Sequence, residues 1–158
     1  MRRFVLALIL MNAFAACSKS NNDGVCTNLE NTAPEIAVTT SDAAVPTGTG
    51  GTVAEGTYFL TAVVRTPSSP VSAQLTFRQT FRISGNTLET VAKDSDKSTA
   101  TKGEDTFTTN GSSIVFTRVC ASDSSSAELQ YGSYTADATH LNLYSVPLGI
   151  SVFFTRQP

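Results

Sequence analysis

Hydrophobic and polar residues alternate along most of the second two-thirds of the chain. The clearest stretch is 71–84, where apolar side chains occupy alternate positions and Ser, Thr, Arg or Gln occupy the others. A period of two is typical of a β-strand with one face in a core and one in water. The apolar face is interrupted only at Gln79, and fourteen residues is long for one strand, so we expect a bend or bulge there.

The same alternation recurs in short segments separated by turn signals such as Ser84-Gly85-Asn86 and Asn110-Gly111. Eight strands are predicted, over residues 57–65, 71–84, 87–93, 99–108, 113–120, 128–135, 140–145 and 150–156. Because tight turns join neighbouring strands, the fold class predicted is all-β: an antiparallel up-and-down meander that closes into a barrel over residues 55–158. Another small β-barrel or a β-sandwich is the alternative.

Residues 17–54 lack sustained periodicity. They are rich in turn-forming residues and include the run Thr47-Gly48-Thr49-Gly50-Gly51. Ile36 and Val38 alternate, but two positions are too few to assign a strand. The composition predicts a flexible linker that either extends from the barrel or drapes over it.

Residues 1–16 are predicted to be a secretory signal peptide rather than part of the fold. A charged start precedes an apolar run that is far shorter than the roughly 20 residues of a membrane-spanning helix. The following sequence Phe14-Ala15-Ala16-Cys17 resembles the lipobox of bacterial lipoproteins, in which the cysteine is acylated with lipid such as palmitate. The resemblance implies that Cys17 is lipidated and becomes the mature N-terminus. The alternative is an ordinary signal peptide cleaved after Ala16.

The residue after the lipidated cysteine influences sorting in such lipoproteins, because an Asp there tends to retain them in the inner membrane. Ser18 stands at this position, so the resemblance implies a lipid anchor in the outer membrane, on its periplasmic or its surface face. Without Arg2 and Arg3 the chain carries 9 basic and 13 acidic residues, a formal charge of −4. This balance gives no basic footprint for nucleic acid and does not draw the body of the protein onto anionic lipid.

Three cysteines are present. If Cys17 carries lipid, Cys26 and Cys120 remain, and a disulfide between them is the economical interpretation outside the cytoplasm. The steps from Cys17 to Cys26, at about 3.3 Å each, then span at most roughly 30 Å between the lipid and the barrel. A metal site of Cys26, Cys120 and His140 is the alternative, but structural zinc uses four closely spaced ligands.

The barrel segment resembles the lipocalin-like group. Lipocalins open their first strand with Gly-x-Trp and pack an Arg of the last strand across that Trp. Gly56-Thr57-Tyr58 and Arg156 occupy the corresponding places, with Tyr in place of Trp, and a guanidinium lies well on an aromatic face. The interior of an eight-stranded barrel either holds one small ligand or is filled by side chains.

The candidate lining of such a cavity consists of Tyr58, Phe77, Phe81 and Phe116. Two functions follow from the two kinds of interior. One is a membrane-anchored protein that binds a small apolar ligand, and the other is a solid structural or interaction module that contacts an envelope protein. Neither function calls for a cofactor or a metal.

Patterns for catalysis and ion binding are weak, so we expect a non-enzymatic protein. His140 is the only imidazole, and Asp137 with a serine could complete a hydrolytic site, but no nucleophile-elbow motif is present. The alternate spacing of Asp94 and Asp96 is weakly similar to that of the acidic residues in a calcium-binding loop, but Thr99 occupies the position at which that loop needs Gly.

Overall fold

The computed structural model describes residues 26–122 and 131–158, and this part of the chain is all-β without a helix. Nine strands follow in chain order: β1 Ile36–Thr40, β2 Gly56–Arg65, β3 Thr76–Ser84, β4 Thr87–Asp94, β5 Thr101–Asn110, β6 Ser113–Ala121, β7 Ser133–Ala136, β8 His140–Ser145 and β9 Ile150–Arg156. No helix that could cross a membrane occurs in these two ranges. The predicted signal peptide, Cys17 and residues 128–130 of the sixth predicted strand lie outside the described residues.

Strands β2 to β9 form a closed ring. Each strand is hydrogen-bonded to the next in chain order, and β9 returns to β2 along a ladder that runs from Tyr58↔Arg156 to Arg65↔Ile150. Closure leaves no free edge between the first and last strands of the ring. The predicted all-β fold with a closed ring is therefore confirmed.

The sheet is mixed, and the prediction of a purely antiparallel meander was wrong on this point. β1 lies parallel to β2, with Val38 opposite Val63, and antiparallel to β3, with Ile36 opposite Phe77. β2 and β3 pair directly only from Gly56 onward over four residues, so β1 fills the gap between them. A parallel neighbour cannot be joined by a tight turn, and the short alternation of β1 gave too little signal to assign it.

β3 is shorter and more regular than predicted. Residues 71–75 precede the strand, and β3 pairs with β4 without a break from Phe77↔Asp94 to Ser84↔Thr87. The bulge expected near Gln79 is therefore wrong. Register shifts occur instead between β2 and β9, where Thr61 of β2 is the extra residue, and between β5 and β6, where Val119 of β6 is the extra residue.

Residues 26–55, which we call the belt, wrap around the barrel. The belt begins at the Cys26–Cys120 disulfide on β6, crosses the outer faces of β5, β4 and β3, and enters the sheet as β1. It then passes over β2 and β9 and reaches β7 at Gly50. The segment predicted as a flexible linker is thus packed on the barrel in its described part. Of the two arrangements expected for it, the structure has the one in which it lies over the barrel and not the one in which it extends away.

The last residues of the belt cover one end of the barrel, the end that carries the turns at Gly85 and Gly111. Residues 51–55 run from β7 to the start of β2 and receive hydrogen bonds from inside the barrel. The buried Tyr134 hydroxyl donates to the carbonyl of Gly51, and the buried Tyr58 hydroxyl donates to the carbonyl of Ala54, both at 2.7 Å. The belt thereby pairs two hydroxyls whose desolvation would otherwise be uncompensated.

Candidate functional site

The predicted disulfide between Cys26 and Cys120 is present, with the two Cα atoms 5.6 Å apart. Hydrogen bonds continue the attachment beside it. The Thr27 hydroxyl donates to a carboxylate oxygen of Glu89 at 2.6 Å, and Lys102 Nζ donates to the Thr27 carbonyl at 3.3 Å. The start of the belt is therefore held to β4, β5 and β6 together.

Glu89 joins the belt to the outer face of β3 and β4. Its carboxylate pairs with the Arg82 guanidinium and accepts the Thr27 hydroxyl. The hydrogen bond from Arg82 is the main cause of the lowered pKa of Glu89, and the bond from Thr27 adds to it while burial opposes both. The carboxylate is ionised at neutral pH, so the contact with the belt is charge-assisted.

The structure brings the four predicted ligand-lining residues to the barrel interior. Tyr58 and Phe81 are fully buried, Phe116 is nearly so, and Phe77 is partly buried against the same cluster. Phe81 stacks on Phe154 with their ring centroids 4.2 Å apart. The rings are thus in contact with other core side chains, as in a packed interior.

Arg156 lies beside Tyr58 on the neighbouring strand, the juxtaposition implied by the lipocalin-like resemblance. A Cβ added at Gly56, where φ is 141°, would come within 2.6 Å of Arg156 Nε. The guanidinium therefore lies over the glycine that opens β2. Burial raises the pKa of Tyr58, and the charge of Arg156 partly opposes this rise.

The interior of the barrel also holds an ion pair that no sequence pattern reveals. Asp105 on β5 is completely buried, and its Oδ1 accepts a hydrogen bond of 2.6 Å from Arg118 Nε on β6. The second carboxylate oxygen, Oδ2, is buried and has no hydrogen-bond partner among residues 26–122 and 131–158. Native proteins rarely leave such an atom unpaired, so this oxygen calls for an explanation.

Other polar positions on the inner wall adjoin this ion pair. Gln79 Nε2 donates to Thr90 Oγ1 at 3.3 Å. Gly103 on β5 lies opposite Thr90 on β4. A Cβ added at Gly103 would be 3.2 Å from the Thr90 methyl group and 3.3 Å from a guanidinium nitrogen of Arg118. The absence of a side chain at Gly103 gives the guanidinium its space. Together these residues form a polar band across β3 to β6.

Asp137 and His140 approach each other, but as part of an exposed turn. Asp137 Oδ1 accepts from the Thr139 amide at 2.7 Å, from the His140 amide at 2.8 Å and from the Thr139 hydroxyl at 2.9 Å. These bonds, led by that of the Thr139 amide, lower the pKa of Asp137 to about 2. In the described residues the His140 ring bonds to Thr139 and Asp137 and to no serine. The geometry is that of a turn stabilised by its own carboxylate.

The carboxylates considered for calcium do not form a site. Asp94 pairs with Lys97 at 3.3 Å, and within residues 26–122 and 131–158 no group of three or more His, Cys, Asp or Glu is arranged to hold a metal ion. The outside of the barrel carries grooves, of which two lie wholly among the described residues as follows. One of about 200 Å³ lies under the belt between Pro46 and Phe153, and a polar one of about 150 Å³ lies between Arg78 and Lys93. Neither is lined by the four aromatic candidates.

No family model, curated protein or solved structure matches this chain.

Proposed function

We propose that this protein is a lipid-anchored, non-enzymatic lipoprotein of the outer membrane whose barrel is a solid, rigid module for contact with an envelope partner. One observation carries the proposal. The aromatic residues that a ligand would have to contact pack on each other instead, with Phe81 stacked on Phe154 and both fully buried. The belt supports the same interpretation, because it covers the end of the barrel near Tyr58 and Tyr134.

The anchor is proposed from the lipobox resemblance at Cys17. Metabolic labelling with a palmitate analogue tests it in cells. We expect the label on the wild-type protein and on the Cys26→Ser variant, and none on Cys17→Ser, with the labelled protein in the outer-membrane fraction. Label that survives the Cys17 substitution would reject the anchor.

The solid interior is tested by native mass spectrometry of residues 18–158 exported behind a cleavable signal peptide. We expect a mass two hydrogens below that of the reduced chain, unchanged after incubation with a phospholipid extract. An added mass that leaves on denaturation, and that is lost when Phe77 and Phe81 become Ala, would reject the solid interior.

Binding of a small molecule within a lipocalin-like barrel is the second candidate function, and one observation favours it. Asp105 Oδ2 is buried, faces the interior and has no hydrogen-bond partner. A ligand that donates a hydrogen bond, such as an alcohol or an amide with an apolar body, would pair this oxygen. The same mass measurement tests it, since an adduct retained by the wild type and lost in Asp105→Asn would assign the ligand to this group.

A further inference from the structure

On the outer face of β5 and β6, the charged side chains of Lys102 and Glu104 lie at the level where the belt crosses, and from Thr106 to the turn at Gly111 the outward residues of both strands are uncharged. We call this surface the β6 face, and its outward residues are Thr106, Thr108, Ser113, Val115, Thr117 and Val119. The outer face of β3 and β4 differs, because Arg78, Arg82, Glu89 and Lys93 all point outward there. The outer face of β2 and β9 is also poor in charge, but belt residues 43–46 lie over it.

Exposed apolar residues concentrate on the β6 face. In the described part of the chain, large hydrophobic side chains are exposed at Val115 and Val119, each 57% exposed, and at Val146, 70% exposed. Val115 and Val119 lie four residues apart on one strand, about 13 Å along it. Val146 lies in the turn between β8 and β9 and not on the outer face of β5 and β6.

The lipid anchor would reach this same face. Cys26 is bonded to Cys120, the residue that follows Val119, so the segment that carries Cys17 is attached to the barrel at the Val119 end of the β6 face. The stretch from Cys17 to Cys26 spans at most roughly 30 Å when fully extended. A tether this short holds the β6 face at a high effective concentration relative to the bilayer, so a weak contact is enough to orient the barrel.

We infer that the β6 face rests on the surface of the membrane that holds the Cys17 lipid, with Val115 and Val119 at the contact. This inference depends on the proposed lipidation. The formal charge of −4 repels the body of the protein as a whole from anionic headgroups, although Arg78, Arg82 and Lys93 outnumber Glu89 on the outer face of β3 and β4. A face made of Val, Thr and Ser avoids this repulsion and places exposed apolar surface against the headgroup boundary.

Fluorescence quenching in vesicles tests the orientation. The lipidated protein, reconstituted in phosphatidylethanolamine–phosphatidylglycerol vesicles, is labelled at a single introduced thiol, which is the one free thiol because Cys17 is acylated and Cys26 is bonded to Cys120. The variants are Val115→Cys, Val119→Cys and the matched control Val146→Cys, and the quencher is a nitroxide-bearing phospholipid. We expect quenching at positions 115 and 119 to exceed that at position 146 by about threefold or more. Side chains at an apolar contact enter the bilayer surface by about 5–10 Å, so only labels at the contact come close to the nitroxide.

Vesicle flotation separates failure of the anchor from failure of the orientation. Protein that does not float would reject the Cys17 anchor and the inference with it. Protein that floats but is quenched equally at all three positions, or most strongly at 146, would overturn the inference alone.

A label on a cysteine introduced in place of Thr117 gives a second measurement of the orientation. When Val115→Glu and Val119→Glu are both present, quenching of the label at position 117 should fall about twofold in these anionic vesicles, because like charges repel. Unchanged quenching would also overturn the inference.

Discussion

The barrel and the belt are fixed by different kinds of interaction. In the barrel, residues 56–156, alternating side chains bury one face of each strand and ladders join neighbouring strands. In the belt, residues 26–55, only β1 is a strand, and the other positions are held by a disulfide, by side-chain hydrogen bonds and by close backbone contacts. The comparison teaches that a segment rich in turn-forming residues can still be packed on the fold, when residues far along the sequence provide contacts for its backbone.

The glycines of the belt illustrate this difference. A Cβ at Gly48 would lie 2.3 Å from the Tyr134 carbonyl oxygen, and one at Gly51 would lie 2.0 Å from the Ala136 carbonyl oxygen. In the barrel turns, Gly85 and Gly111 have positive φ and no atom near an added Cβ. Glycine serves backbone conformation in those turns, whereas in the belt it allows two backbones to touch.

Removing the disulfide should produce the largest change. Substituting both Cys26 and Cys120 by Ala releases a bond between residues 94 positions apart, and we expect the free energy of unfolding to fall by about 4–5 kcal/mol. Urea denaturation followed by circular dichroism measures it. If the belt and barrel form one cooperative unit, a single transition moves to lower urea. A transition that keeps its wild-type midpoint would show that the disulfide does not stabilise the fold.

Truncating the core tests the barrel side of the comparison. Phe81→Ala removes a fully buried ring stacked on Phe154, and we expect a loss of about 3–5 kcal/mol in the free energy of unfolding. Phe153→Ala is the matched control, because Phe153 is partly buried on the outer face and should cost less. A smaller loss for Phe81 than for Phe153 in the same urea titration would contradict a packed interior.

The fold class could be predicted from the sequence because the signals that specify it, alternation within a strand and the turn to the next strand, are local in the chain. Alternation and turn residues located eight strands and the order of the ring, since each strand pairs with its chain neighbour. β1 could not be assigned, because its partners Val63 and Phe77 lie far along the chain and only two apolar positions mark it. The composition of the belt predicts a linker for the same reason, because nothing in residues 47–51 reveals that Tyr134 lies against them.

Substituting a belt glycine should have an intermediate effect. Gly48→Ala places a methyl group against the backbone of Tyr134, which cannot move aside as a side-chain tip can. We expect a loss of about 1–3 kcal/mol, the usual cost of overpacking. Gly132→Ala is the control, because no atom lies within 4 Å of its added Cβ. Equal thermal midpoints for the two variants would show that the close contact at Gly48 does not hold the belt.

The candidate site was predicted unevenly. Tyr58, Phe77, Phe81 and Phe116 follow from alternation, and their placement in or against the interior cluster agrees with it. Asp105 and Arg118 were missed although they share the phase of inward Phe107 and Phe116 on their strands. Their charge argues against burial when each is considered alone, and only the pairing of β5 with β6 brings the two together.

A barrel turn gives the smallest expected effect, and its pH dependence has a definite sign. The pKa of Asp137 is about 2 in the folded chain, against an ordinary value of 3.8, so the stabilising contribution of its carboxylate is present above about pH 4 and is lost as pH falls through about 2. Asp137→Asn keeps an acceptor for the Thr139 amide and removes the charge. The difference in thermal midpoint between wild type and Asp137→Asn should therefore be largest above about pH 4 and should shrink towards about pH 2. Asp137→Ala, which also removes the acceptor, should remain less stable than Asp137→Asn over this whole range. A wild-type to Asn difference that stays constant from about pH 6 to about pH 2 would show that the turn depends on geometry and not on the charge of its carboxylate.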